Sequence, residues 1–263
     1  MPEGHTIRRL RNDLDRLFGD GPITASSPQG RFADGAAVID QRVVDRFEAD
    51  GKHLFGHFGN DILHVHLGLI GKFGPAVDGA DAQCRLRLAA SGISWDLRGP
   101  STCAVISPDV HAAICAGLGP DPLGRSSDPS AFIEQINSTR KPIGAALLDQ
   151  RRVSGIGNVY RAELCFLSGI RPTTSAATVD KTTLADMWDT IRTLMRRGVR
   201  QGRIITRDPS EVGGPRRLQR LDDDERLYVY KRDSERCHRC GTEIRLVEIA
   251  QRKCWYCPEC QPT

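Results

Sequence analysis

Cys237-His238-Arg239-Cys240 and, sixteen residues later, Cys257-Pro258-Glu259-Cys260 have the two-pair spacing of a four-thiolate zinc site. Two residues between the cysteines of a pair let both thiolates reach one ion. The segment between the pairs reads as two strands, Ile244 to Ile249 and Cys254 to Tyr256. The prediction is a β-hairpin finger held by one structural Zn2+ ion on Cys237, Cys240, Cys257 and Cys260. So short a segment buries too little surface to be stable alone. Metal binding therefore supplies most of its folding free energy. The predicted tip is Gln251-Arg252-Lys253, from which the Arg252 guanidinium can reach phosphates or a groove.

The other five cysteines, Cys84, Cys103, Cys115, Cys165 and Cys254, read as ordinary buried or half-buried thiols. Nine in all is an odd, unevenly spread set, which in a chain without a signal peptide reads as cytoplasmic rather than disulfide-built. A chain of 263 residues makes one large domain or two to three small ones. It contains no run of about 18 apolar residues, so no membrane partner is expected. Arg8, Arg9 and Arg11 make the first segment too charged for a secretory signal. A net charge of +4 tolerates a nucleic-acid partner without demanding one. Arginine supplies 31 of the 37 basic residues, a skew that a GC-rich genome also produces.

Upstream of the finger, Arg207 to Leu227 is rich in charge, glycine and proline and lacks periodicity, which predicts a mobile loop. Its Asp222-Asp223-Asp224-Glu225 run would repel DNA. Before it the period is helical. Thr182 to Val199 carries one apolar stripe from Leu184 to Val199, and shorter helices are predicted at Phe132 to Ile136, Ile143 to Leu148 and Tyr160 to Leu167. Between two of them, Val153-Ser154-Gly155-Ile156-Gly157-Asn158 opens a helix. It is either a tight interhelical turn or a backbone cradle for a phosphate at a helix N-terminus. Pro120, Pro122, Ser126, Ser127 and Pro129 mark a linker.

From about Val38 to Leu97 the apolar runs are short and extended, and Gly59-Asn60-Asp61 and Ala90-Ser91-Gly92 look like hairpin turns. This predicts an antiparallel β-sandwich. Lys52 follows Gly51 in a turn between two strands, locally no different from a solvated surface lysine. His64 and His66 alternate onto one strand face, where packing is the better reading than a metal pair. The first apolar set, Ile7, Leu10, Leu14, Leu17 and Phe18, has helical spacing and should end at Gly19.

The chain opens Met1-Pro2-Glu3-Gly4. Removal of Met1, which a small second residue permits, leaves the secondary amine of Pro2 at the terminus with the Glu3 carboxylate beside it. A terminal amine has a reference pKa near 8, against about 10.4 for lysine, so far more of it is free base at neutral pH. Such an amine can attack the C1′ carbon of a sugar and form a Schiff base. Glu3 can then move protons as general acid and base.

In order along the chain stand Met1-Pro2-Glu3-Gly4, Gly51-Lys52, His66-Leu67-Gly68-Leu69 and Leu118-Gly119-Pro120-Asp121-Pro122-Leu123. Leu148-Asp149-Gln150, Gly155-Ile156-Gly157-Asn158, Gly169-Ile170-Arg171-Pro172 and the finger complete the series. Together they resemble the bacterial DNA glycosylases of the formamidopyrimidine-DNA glycosylase and endonuclease VIII type (Fpg/Nei), over nearly the whole chain. The opening Pro-Glu-Gly is more like the endonuclease VIII branch.

The resemblance implies an α+β multidomain fold. Residues 1–121 would form an N-terminal antiparallel β-sandwich catalytic domain with an N-terminal helix. Residues 122–227 would form a helical DNA-binding domain with a helix two-turn helix, and 228–263 the C-terminal zinc β-hairpin finger. It implies a bifunctional DNA glycosylase and AP lyase of base excision repair, in which Pro2 forms the Schiff base and Glu3 is its acid/base partner. Lys52, Asn158 and Arg252 would contact phosphates around the lesion, and Leu69 would fill the gap left by the flipped nucleotide. Strand cleavage would proceed by β,δ-elimination.

The implied partner is damaged DNA, double-stranded with single strands left open, bound by a monomer at the bacterial nucleoid. Thr6 stands where many relatives carry a second glutamate. The Arg-Phe pair that oxidised-guanine enzymes insert opposite the lesion is not evident around Arg98-Gly99-Pro100-Ser101-Thr102, which favours oxidised pyrimidines. The alternative is a catalytically inactive damaged-DNA-binding protein of the same fold, and a zinc-ribbon protein with an RNA or protein partner is a third reading.

Overall fold

Ile7, Leu10, Leu14 and Phe18, three or four residues apart, are all buried and form the inner face of helix α1 (Gly4–Phe18), which Gly19 ends. A computed structural model of the chain describes residues 2–79, 81–125 and 128–262. Met1, and Ser126 and Ser127 of the predicted linker, lie outside the described residues. The chain divides into two compact units, Met1–Gly117 and Leu118–Thr263.

In the first unit α1 is followed by β1 (Pro22–Ser26), α2 (Ala33–Ile39), β2 (Arg42–Val43), β3 (Arg46–Asp50), β4 (His53–Phe58) and β5 (Asp61–His66). Then come β6 (Lys72–Pro75), β7 (Cys84–Ala90), β8 (Ile93–Arg98), β9 (Thr102–Ile106) and α3 (Pro108–Ala116). One antiparallel sheet has the order β2-β1-β7-β8-β6 and the other β3-β4-β5-β9. Both enclose one apolar core with α1, including Ile23, Phe47, Leu54, Val65, Leu86 and Leu97. This is the β-sandwich expected, and both anticipated hairpins are present: Phe58 pairs with Asp61, and Ala90 with Ile93.

The strands reach further than the sequence pattern, from Pro22 to Ile106 instead of Val38 to Leu97. Val38 itself lies in α2, and the run from Val43 to Ala49 is split between β2 and β3. Strand β1 buries only Ile23 and Ala25, too short an alternation to stand out.

The second unit carries α4 (Ser130–Asn137), α5 (Ile143–Ala146), α6 (Asn158–Leu167) and α7 (Lys181–Gln201), then the hairpin β10 (Arg245–Ile249) and β11 (Arg252–Tyr256). The α7 stripe Leu184, Met187, Trp188, Ile191, Leu194 and Met195 is buried against Phe132, Ile143 and Tyr160. Asp180 caps α7 by accepting from the Thr183 amide at 2.8 Å, and Gly202 ends it in the left-handed region. Between α7 and the finger, residues 207–227 form two short 3-10 turns, Pro209–Val212 and Arg217–Arg220, around the apolar group Ile205, Val212, Leu218 and Leu221. The absence of periodicity there reflects short turns with a small core of their own.

Candidate active site and nucleic-acid contacts

Glu3 is fully buried at the N-cap of α1, and its carbonyl accepts the Thr6 amide at 2.8 Å. Pro2, half-buried, precedes it. Both sit at the positive end of the α1 dipole, which favours the Glu3 carboxylate and the uncharged form of an adjoining amine. His5 is buried in the first turn, and its pKa is pushed down to about 4 by desolvation and then by the charged chain terminus. Thr6 Oγ1 lies 3.3 Å from His5 Nε2.

Three contacts fix how α1 lies on β3. Phe47 N donates to Asp15 Oδ1 at 2.8 Å, Arg11 Nε to Phe47 O at 2.9 Å, and Arg8 Nη2 to Ala49 O at 3.3 Å. Moving toward the start of α1 means moving toward the end of β3, so the helix start and the Gly51-Lys52 turn point to one end of the sandwich. Gly51 has φ +54°, a left-handed conformation that a side chain would strain. Beside Lys52 stand three histidines. His53 Nδ1 is 2.9 Å from His64 Nε2, and the His66 ring is 5.0 Å from that of His53. Burial first, then the neighbouring histidine charges, pushes His53 and His64 down to about 4; Lys52 lowers His53 further. His64 and His66 are thus packing residues, with His66 Nδ1 2.8 Å from Ser101 Oγ.

Leu69 lies in the loop after β5 with 59% of its surface exposed, and Ile70 beside it with 80%. Two adjacent exposed apolar side chains are unusual on a surface and suit insertion between bases. Sequence reading named only Leu69; the signal for Ile70 was its place in the same short apolar run between Gly68 and Gly71. The β8–β9 connection is three residues, Gly99 to Ser101, tied back by the Ser101 amide to His66 O at 2.9 Å.

In the second unit the glycine-rich turn is shaped by Gln150, whose Nε2 donates to Leu148 O and Ile156 O at 2.9 and 3.0 Å and whose Oε1 accepts the Gly155 amide at 3.0 Å. Gly119 packs onto this turn so closely that a Cβ would sit 2.4 Å from the Arg152 carbonyl carbon. Asn158, first residue of α6, is buried. Its Nδ2 donates to Lys253 O at 3.0 Å, and its Oδ1 accepts from Arg161, which also donates to Lys253 O at 2.9 Å. Asn158 therefore joins the helix start to β11, next to Arg252. Arg252 itself is exposed beside the true tip, Ala250 and Gln251, which both have positive φ.

The four sulfurs of Cys237, Cys240, Cys257 and Cys260 lie within 4.8 Å of one another, with 3.4 Å between Cys240 and Cys257 and 3.9 Å between Cys237 and Cys260. Zn–S bonds of about 2.3 Å in a tetrahedron place sulfurs about 3.8 Å apart, so the four thiolates fit one structural zinc. Gln261, unnoticed in the sequence, links the finger to the helices: its Oε1 accepts the Cys257 amide at 2.9 Å and its Nε2 donates to Ile170 O at 2.8 Å. Glu163 was also missed. Buried on α6, it accepts the Tyr228, Val229 and Tyr230 amides at 2.8 Å each, and Thr206 Oγ1.

A sandwich with its chain start at the same end as a lysine turn, a helix two-turn helix and a four-cysteine hairpin define the architecture of a zinc-finger DNA glycosylase. Residues 1–101 match the formamidopyrimidine-DNA glycosylase N-terminal domain, 118–210 the formamidopyrimidine-DNA glycosylase H2TH domain, and 234–263 the zinc finger found in FPG and IleRS. Endonuclease 8 1 of Mycobacterium tuberculosis is 40% identical over 269 aligned positions, covering 99% of this chain and 100% of that protein. Endonuclease 8 2 of the same species is 34% identical, covering 99% and 100%. The chain belongs to the Fpg/Nei family of DNA glycosylases and AP lyases. The solved complex of Lactococcus lactis Fpg with abasic-site DNA shares the fold with a TM-score of 0.80 at 24% identity, covering 99% of this chain and 100% of that one.

Proposed function

We propose that this protein excises oxidised bases from DNA through the amine of Pro2 and then cleaves the strand at the resulting site. The observation that carries this reading is the burial of Glu3 next to Pro2 at the start of α1, at the same end of the sandwich as the Lys52 turn. The Pro2 nitrogen attacks C1′, the C1′–N bond to the base breaks, and the base leaves with a proton. The C1′–O4′ bond then opens, with O4′ taking up a proton, to leave a protonated imine that acidifies C2′; loss of the C2′ proton expels the 3′ phosphate, and a second elimination expels the 5′ phosphate. Glu3 relays these protons. Flipping the nucleotide costs a few kcal/mol, which Leu69 offsets by filling the vacated stack. Lys52, Asn158 and Arg252 hold the flanking phosphates; the buried Asn158 side chain does so through the α6 N-terminus that it anchors.

Oxidised pyrimidines are the favoured substrates. The three-residue β8–β9 connection supports this, because it offers no projecting loop to probe the opposite base. The working division is 1–121 for chemistry, 122–227 and 228–263 for grip, in a monomer acting at the nucleoid of a bacterial cytoplasm. Single-turnover excision from duplexes carrying an oxidised pyrimidine or an oxidised guanine tests the assignment. The pyrimidine is released faster, and Pro2→Gly loses release while still binding the duplex. Undiminished release by Pro2→Gly contradicts the nucleophile; faster guanine release contradicts the preference.

A further inference from the structure

Helix α3 carries a histidine and a cysteine, His111 and Cys115, one helical turn apart, with the His111 ring against Phe55 and His57 of the β3–β4 hairpin. Glu48 of β3 meets them. The Glu48 carboxylate, the His111 ring nitrogen and the Cys115 sulfur all lie within 4.8 Å of one another. His111 Nε2 is 3.6 Å from Glu48 Oε2 and 3.5 Å from Cys115 Sγ. The first of these distances is too long for a hydrogen bond. Both match the edges of a tetrahedral zinc site, in which bonds of about 2.0 to 2.3 Å set donors about 3.3 to 3.8 Å apart.

We propose that Glu48, His111 and Cys115 form a second zinc site, separate from the finger, that clamps α3 to the hairpin bearing Lys52. The donor set of carboxylate, imidazole and thiolate is one that zinc accepts. A neutral imidazole with two anionic donors balances the ion's charge, and binding releases the Cys115 thiol proton to solvent with no change of oxidation state. The surroundings orient the donors. His57 Nε2 stands 2.8 Å from the same Glu48 oxygen and holds the carboxylate, as outer groups do at metal centres. The His111 ring is fixed edge-on against Phe55, at 4.5 Å between centroids, and against His57 at 5.2 Å. Asp50 lies on the same face of β3 as Glu48, two residues along, and adds a second carboxylate near Cys115. Such a clamp matters because α3 buries none of its own side chains completely.

The test is metal analysis of the full-length protein after loading with zinc and dialysis against zinc-free buffer, alongside Cys115→Ser and His111→Gln. Wild type retains a second equivalent of zinc, and each variant retains one fewer. Cys257→Ser loses the finger's ion and keeps this one. The finger's zinc in Cys115→Ser and His111→Gln reports that those variants are folded. Cobalt substitution gives a second readout, with thiolate-to-cobalt absorption from this site lost in Cys115→Ser. A single equivalent in wild type, or unchanged stoichiometry in both α3 variants, overturns the proposal.

Discussion

Glu163 carries much of the second unit's order on one side chain. A carboxylate at 0% exposure is costly to bury, and here three amides and a hydroxyl from outside α6 satisfy it. The bonds tie α6 to residues 228–230, the strap leading into the finger. Glu163→Gln keeps the shape but replaces one acceptor oxygen with a donor that faces amides. We expect a loss of about 3 kcal/mol in urea unfolding, the usual scale for disrupting a buried charged network; a change below about 0.5 kcal/mol, the range of ordinary surface substitutions, would sink this account. Glu163 was invisible in the sequence because its partners are backbone amides more than sixty positions away, which no side-chain pattern marks.

The elements differ in how much of them could be read in advance. Helix α1, the hairpins β4–β5 and β7–β8, α7 and the finger all carry strong periodicity or paired cysteines, and each formed where its pattern lies. The missed elements are short: α2 has seven residues, β6 four with Gly74 and Pro75 among them, and β9 no fully buried side chain. Local pattern is weak in such pieces, and sheet pairing decides the two strands among them. The finger's order rests on metal more than on its own core. Trp255 reports it, because its indole donates to Asp233 Oδ1 at 2.7 Å and meets the Tyr230 ring at 4.8 Å. Cys257→Ser, or strong chelation, should remove zinc and shift Trp255 fluorescence toward that of an exposed indole, while far-ultraviolet dichroism of the helices persists. Loss of metal with no fluorescence change contradicts the coupling.

At the scale of the whole molecule, modest net charge means that DNA grip comes from placed cations instead of a general field. The logarithm of affinity should fall linearly with the logarithm of salt concentration, and Arg252→Ala should lower that slope by about 0.9, one phosphate contact. An unchanged slope removes Arg252 from the interface. The proposed site residues were legible only as an ordered series: Pro2, Lys52 and Asn158 are ordinary in isolation, and the reading of each rests on its place in that series.

Stability should also depend on pH in a defined window. His5, His53 and His64 have folded-state pKa values near 4 against an ordinary 6.5, so between those values the unfolded chain binds protons that the folded chain refuses. Stability therefore falls as pH drops from about 6.5 toward 4, and His64→Gln flattens that fall in thermal melts at stepped pH. A stability that rises across the window contradicts the burial of these rings as neutral groups.

The central claim is that the Pro2 amine is the nucleophile. Borohydride reduction of the protein, with Met1 removal verified by mass, on duplex DNA containing an abasic site captures any imine as a stable adduct. The account predicts a covalent complex whose crosslinked peptide begins at Pro2. No adduct from processed protein that still binds the duplex, or an adduct mapped to Lys52, contradicts it.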